Sequence, residues 1–262
     1  MGGLPVQWGV SDAPHDSYAA LRLPDYRRFM AYTGLFTLAL SMQGVVVGWQ
    51  VYDLSHDPLA LGLVGLAEAL PFLSSALFGG YAADRVNRKA INAVSTACLL
   101  LCALALGAFS LLVRRGTLPP LLGPIYGVIA LTGLARAFQR PAATALGTEL
   151  LPRELYANGS SWRTAIFQTG SVTGPVLGGF LYAWRGPVAS YAVVALLMLA
   201  SLVLVLRIEY APAPQKGAPV PILQSLGEGL RFVRGQRLLL GAMGLDLFAV
   251  LFGGAVALLP AF

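Results

Sequence analysis

The sequence predicts an all-α membrane protein, and three observations carry that expectation. Composition comes first: of 262 residues, 56% are hydrophobic and 11% charged, with a mean hydropathy of +0.69. A soluble protein carries about 25% charge. Distribution comes second: the charges fall between apolar runs long enough to cross a bilayer, which takes roughly 20 residues. Sign comes third. Arg22, Arg27, Arg28, Arg85, Arg88, Lys89, Arg153, Arg207, Lys216, Arg231, Arg234 and Arg237 fall in one set of alternating loops, against Arg114, Arg115 and Arg185 in the other. Cytoplasmic loops hold the excess of Lys and Arg, so the N-terminus is expected inside the cell.

The same facts exclude other classes. The net charge of +6 is explained by topology, because no basic face with interleaved aromatics exists to hold nucleic acid. Cys98 and Cys102 lie one helical turn apart without His or carboxylate neighbours, which makes a poor metal site. No nucleophile–base pair or phosphate loop is present, so neither an enzyme nor a cofactor is expected. His15 and His56 fall in the polar lead-in and in a short turn. The lead-in has no apolar core of the kind a signal peptide needs.

Taken in order, residues 1–27 form a cytoplasmic N-terminal segment, followed by a six-helix transmembrane bundle over 28–208. Span one, 28–52, is entered past Asp25, which is placed to cap it, and carries Gly44 and Gly48 on one face. Trp49 and Tyr52 suit the outer interface. Span two, 59–82, holds Glu68 and Pro71; span three is 90–113; span four, 121–147, holds Arg136 and Arg140. Span five, 159–184, has Trp162 near the inner surface and Tyr182 and Trp184 near the outer; span six is 188–207. Residues 209–237 read as a cytoplasmic linker that is rich in Pro and ends in an amphipathic helix; 238–262 reads as a seventh span.

Two motifs are specific. The first is the short charged loop Gly80-x-x-x-Asp84-Arg85-x-x-Arg88-Lys89 between spans two and three. It resembles the loop between helices 2 and 3 of the major facilitator superfamily of transporters. That family usually has Gly where this chain has Asn87, and Asn tolerates a left-handed backbone well. The resemblance implies a gating role for Asp84, Arg85 and Arg88: the loop Asp engages helix ends of the opposite half and favours the outward-facing state.

The second motif is Gly170-x-x-x-Gly174-Pro175-x-x-Gly178-Gly179 on span five. Glycines at 170, 174 and 178 share one face, which suits close packing or sliding contact; Pro175 can bend the helix. The string is similar to the helix-5 pattern of antiporting exporters in that superfamily. The wider runs Gly48–Ser55, Gln139–Ala142 and Phe252–Pro260 look like the branch that includes the enterobactin exporter and macrolide efflux proteins.

Intramembrane charge is costly and faces a cavity or a partner. Two roles fit Glu68: a carboxyl whose pKa burial raises, able to alternate between protonated and ionised forms, or a structural partner for an Arg. Asp246 in the seventh run is the other candidate for proton coupling. Arg136 and Arg140 are one turn apart; their face can receive an anionic substrate, pair with Glu68, or reach lipid phosphates. Arg140 resembles the span-four arginine of drug:proton antiporters. Arg163 is assigned to the inner surface network.

The resemblance implies twelve spans in two halves, whereas seven are counted here. A truncated reading frame is therefore expected, with the C-terminal half missing and no transport by the fragment alone. The expected partners are the lipid bilayer, protons and a small substrate such as a drug or siderophore. The expected location is the bacterial inner membrane. The rival expectation is a non-transporting half that assembles with a complementary polypeptide.

Overall fold

The computed structural model describes residues 16–210, together with 235, 236, 240, 241, 244 and 245. Contacts divide the chain into two units, Met1–Ala213 and Pro214–Phe262. In the second unit, the backbone N–H of Leu240 donates to the Gln236 carbonyl at 3.1 Å, one helical turn. The sequence expectations for the amphipathic helix, most of the seventh span and Asp246 lie outside the described residues.

The first unit consists of helices α1 (Pro24–Ser55), α2 (Pro58–Arg85), α3 (Arg88–Arg114), α4 (Gly123–Glu149) and α5 (Tyr156–Leu206), with single 3-10 turns at Ala20–Arg22 and Arg153–Leu155. No strand occurs among the described residues. Local chemistry sets the helix boundaries. Pro24 and Pro58 open α1 and α2, where a missing N–H costs nothing. Asp57 caps α2 by accepting from the Leu59 N–H at 2.9 Å. His56 stops α1 in a left-handed conformation, φ 51°.

Two cap expectations change. Asp25 does not cap α1; it lies in the first turn and accepts from Arg28 (2.8 Å) and from the Glu209 N–H (2.9 Å). Asn87 is not left-handed. With φ −54° and ψ 112° it caps α3, accepting from the Lys89 (2.9 Å) and Ala90 (3.2 Å) N–H groups. The loop needs a helix-starting acceptor there, so Asn satisfies donors that Gly would leave open.

The expected spans five and six run into one helix, α5, of 51 residues. It breaks at Gly186, where φ 75° and ψ −177° define a conformation essentially restricted to glycine, and Pro187 follows. The two arms are thus separate rods. Four helical stretches are long and apolar enough to cross a membrane: Pro24–Ser55, Pro58–Arg85, Arg88–Arg114 and Arg153–Leu206. The 27-residue α4 has the length, but Arg136, Gln139 and Arg140 lower its apolarity.

Glycine decides which helices meet. The first arm of α5 lies on α1: a Cβ at Gly174 would sit 2.6 Å from Ser41 Cβ, and one at Gly178 would sit 3.0 Å from the Met42 carbonyl oxygen. Gly170 faces Thr37 in the same row. On α2 and α4, Gly79 abuts the Ala137 carbonyl and Gly133 abuts the Glu68 carbonyl, too close for any side chain. The later arm of α5 meets α3, with Gly107 against Tyr191. These contacts bury Tyr26, Phe29, Tyr32, Phe36 and Met198 in one core and Val46, Val47, Leu106 and Ile129 in another. Along α2, Leu59, Leu63, Leu66, Leu70, Leu73 and Leu77 form an exposed row at alternating three- and four-residue steps, an apolar face suited to hydrocarbon.

Polar side chains buried inside the bundle are paired, as a low-dielectric interior requires, with Gln43 Oε1 the exception among the described residues. Gln50 donates to Ser110 (2.8 Å) and accepts from Tyr191 (2.7 Å). Tyr32 accepts from Gln139 (3.0 Å) and donates to Asn92 (3.1 Å), whose amide donates to the Arg88 carbonyl (2.8 Å).

Candidate functional site: an arginine-lined groove and a charged bundle end

A groove of about 530 Å3 is walled by α1, α4 and the first arm of α5. Phe29, Phe36, Leu40 and Phe167 give it apolar walls; Thr33, Thr37, Ser41, Thr144, Thr164 and Ser171 add hydroxyls. Gln139 and three guanidiniums, Arg136, Arg140 and Arg163, complete the polar set.

The structure separates the roles of these charges. Arg136 on α4 donates to Glu68 on α2 in an ion pair, with both side chains about one-third exposed (34% and 31%). The Glu68 backbone is held against α4 by Gly133, so helix packing presents the carboxylate to Arg136. Of the readings left open for Glu68 and Arg136, the pair is the arrangement observed. Arg140 is exposed in the groove with no carboxylate partner among the described residues.

Arg163, assigned from the sequence to the inner surface network, has a further place. It lines the groove, and it also borders a smaller cavity with Tyr26, Tyr156 and Ser160. Sequence reasoning missed it, along with Gln139, Thr33 and Thr37. A usable signal existed: Arg163 lies seven residues before Gly170, two turns along the same helix face.

The charged loop lies at the opposite end of α2 from Asp57, and its members behave differently. Arg88 pairs with Glu149 at the end of α4, and its Nε donates to the Ala83 carbonyl at 3.0 Å. Lys89 donates to the Ile208 carbonyl at 2.7 Å. The Arg85 guanidinium lies over the Tyr81 ring, 4.7 Å from its centroid. Asp84 is exposed, with no ion pair among the described residues. Gly80 has open space where a side chain would be; the glycine that sterics demand is its neighbour Gly79.

Residues after α5 close over this end. Tyr210 donates to Glu149, the Glu209 N–H donates to Asp25, and Arg28 donates to the Arg207 carbonyl at 3.1 Å. Burial, then the hydrogen bond and charge of Glu149, push the Tyr210 phenol up to about 12. It therefore remains a donor at any physiological pH.

On α5, Gly170, Gly174 and Gly178 all touch α1, whereas a Cβ at Gly179 would find Val45 no closer than 3.9 Å. Pro175 lies inside the continuous helix between Gly174 and Gly178. At the other bundle end, Trp49 stacks on Tyr182 with centroids 6.5 Å apart, and Tyr182 donates to Asp53 at 2.6 Å.

These features define a class: a multi-pass α-helical membrane protein with a polar groove between its helices. The family profile of the Major Facilitator Superfamily matches residues 29–262. The chain belongs to that superfamily. It is 31% identical over 206 residues to the multidrug efflux pump Tap of Mycolicibacterium fortuitum, covering 72% of this chain and 47% of Tap. It is 27% identical over 155 residues to the quinolone resistance protein NorA of Staphylococcus aureus, covering 58% of this chain and 37% of NorA. The chain thus spans about half the length, or less, of these curated relatives.

Proposed function

We propose that this chain is part of an exporter that expels small amphipathic or anionic compounds, drugs or siderophores among them, by alternating access. Entry of protons drives the exit of substrate. The protein lies in the bacterial inner membrane with its N-terminus in the cytoplasm. The observation that carries the reading is the groove: apolar walls, hydroxyls and guanidiniums in one opening, with the Glu68–Arg136 pair at its edge. Apolar walls with a few oriented polar groups are what a small-molecule site requires. The similarity to efflux pumps supports the outward direction.

Glu68 is the proton carrier in this reading. Protonation removes the charge that holds Arg136, freeing the guanidinium to face the groove; deprotonation restores the pair. Asp246 is proposed as a second proton-carrying group. Gly80, Asp84, Arg85, Arg88 and Lys89 act as the inner gate, and Gly170, Gly174, Pro175, Gly178 and Gly179 as the contact along which α5 moves on α1.

The test is drug accumulation in sensitive bacterial cells producing the full-length exporter of which this chain is proposed to be part. Lower accumulation that a protonophore reverses supports the reading; accumulation equal to that of control cells overturns it. A second reading has the chain working only with a complementary polypeptide. It draws on a groove lined by α1, α4 and α5 alone among the described residues. Efflux that appears only on co-expression of that polypeptide selects it.

A further inference from the structure

We infer that the groove selects by charge: it takes organic anions with a flat apolar body and rejects cations of the same size. The inference deepens the export reading, but its test is binding alone and needs no transport.

The charge inventory carries it. Three guanidiniums line the groove, and no carboxylate is among its lining residues. Arg136 is neutralised by Glu68. Arg140 on α4 and Arg163 on α5 have no carboxylate partner among the described residues, so the walls hold two uncompensated positive charges. Arginine cannot shed its proton to relieve this, unlike lysine. A ligand cation would enter against both charges. A carboxylate or sulfonate would accept N–H donors from guanidiniums on two helices, the geometry in which arginine binds anions best. Phe167, 48% exposed, meanwhile offers apolar surface for a ring, with Phe29 and Phe36 buried in the wall behind the groove. The hydroxyls of Thr33, Thr144 and Thr164 donate to the carbonyls of Phe29, Arg140 and Ser160; they are neutral and do not offset the positive charge.

The experiment measures binding to the full chain in phosphatidylcholine nanodiscs, with empty nanodiscs subtracted. Two fluorescent probes are used: 8-anilinonaphthalene-1-sulfonate as the anion and ethidium as the cation. The sulfonate is expected to bind more tightly. Arg140→Gln and Arg163→Gln should each weaken it about tenfold, as loss of one charge-assisted contact implies. Ethidium binding should stay unchanged or improve. Arg163→Lys, which keeps the charge, should restore part of the affinity and guards against a folding defect in the Gln variant. Tighter ethidium than sulfonate binding, or unchanged sulfonate affinity in both Gln variants, overturns the inference. So does loss of sulfonate affinity when phosphatidylglycerol is mixed into the nanodisc, because the guanidiniums then serve lipid headgroups. Cells that still export a cationic drug while these variants change nothing would leave the export reading standing and remove only the charge selection.

Discussion

Glu68 on α2 and Arg136 on α4 form an ion pair across two helices whose backbones touch at Gly133. The pair is one-third exposed, so its strength lies well below that of a fully buried pair. Removing one partner leaves the other charge at the edge of the groove; removing both does not. Glu68→Gln and Arg136→Gln should therefore each destabilise the protein by about 1 kcal/mol, and the double variant by less than their sum. Thermal unfolding in detergent of all four forms measures this. Additive losses would mean that the two side chains do not interact.

The same carboxyl supplies a functional prediction. In the full-length exporter, Glu68→Gln is expected to lower efflux driven by an imposed pH gradient in membrane vesicles, at unchanged membrane abundance. A pH response equal to that of the wild type removes Glu68 from proton coupling.

Glycines of α5 should divide sharply by position. Gly174→Ala would press its methyl group against Ser41 and the Leu38 carbonyl, at 2.6 and 2.9 Å, and should cost about 1–3 kcal/mol as the helices separate. Gly179→Ala meets only Val45 at 3.9 Å and should be neutral or mildly stabilising, since Ala favours helix. Thermal stability of the two single variants decides. Equal effects would show that the motif acts through helix propensity and not through the α1 contact.

Gly186 should tolerate no other residue. Its φ of 75° with ψ near 180° lies where an L side chain collides with its own backbone. Gly186→Ala is expected to cost about 1–3 kcal/mol. Spin labels placed on the two arms should also report a changed angle between them. An unchanged angle and stability would mean the break is set by Pro187 alone.

At the charged end, Tyr210 donates to Glu149, which also pairs with Arg88. The phenol's folded pKa lies above its ordinary value, so its neutral, donating form is favoured by folding. The contribution is fully present below pH 10.0 and is lost as the pH rises through about 12. Tyr210→Phe should lower stability slightly at neutral pH and flatten the loss of stability between those values. The check is unfolding at a series of alkaline pH values; an identical alkaline slope in the two proteins would exclude the contact.

Much of this molecule was legible in one dimension. Apolar runs fixed where helices lie, because in a bilayer every backbone polar group must be satisfied within the helix. The separation of the two arms of α5 was legible as the gap between the spans expected at 159–184 and 188–207, whereas the start of α1 was read at Asp25 and lies at Pro24. The site was legible in part: Glu68, Arg136 and Arg140 are named by their cost in an apolar run. Arg163 was not, because a charge near a helix end reads as interfacial until its neighbours are known.

What the sequence by itself determined is the set of rods, their breaks and the residues too polar to face lipid. Tertiary structure alone decided which rods touch. It put Gly79 rather than Gly80 against α4, joined Glu68 to Arg136 and left Arg140 without a carboxylate, and brought Arg163 to the groove. The reason is physical: periodicity and capping act within a few residues of chain, whereas the pairing of charges depends on crossing geometry between helices 68 positions apart.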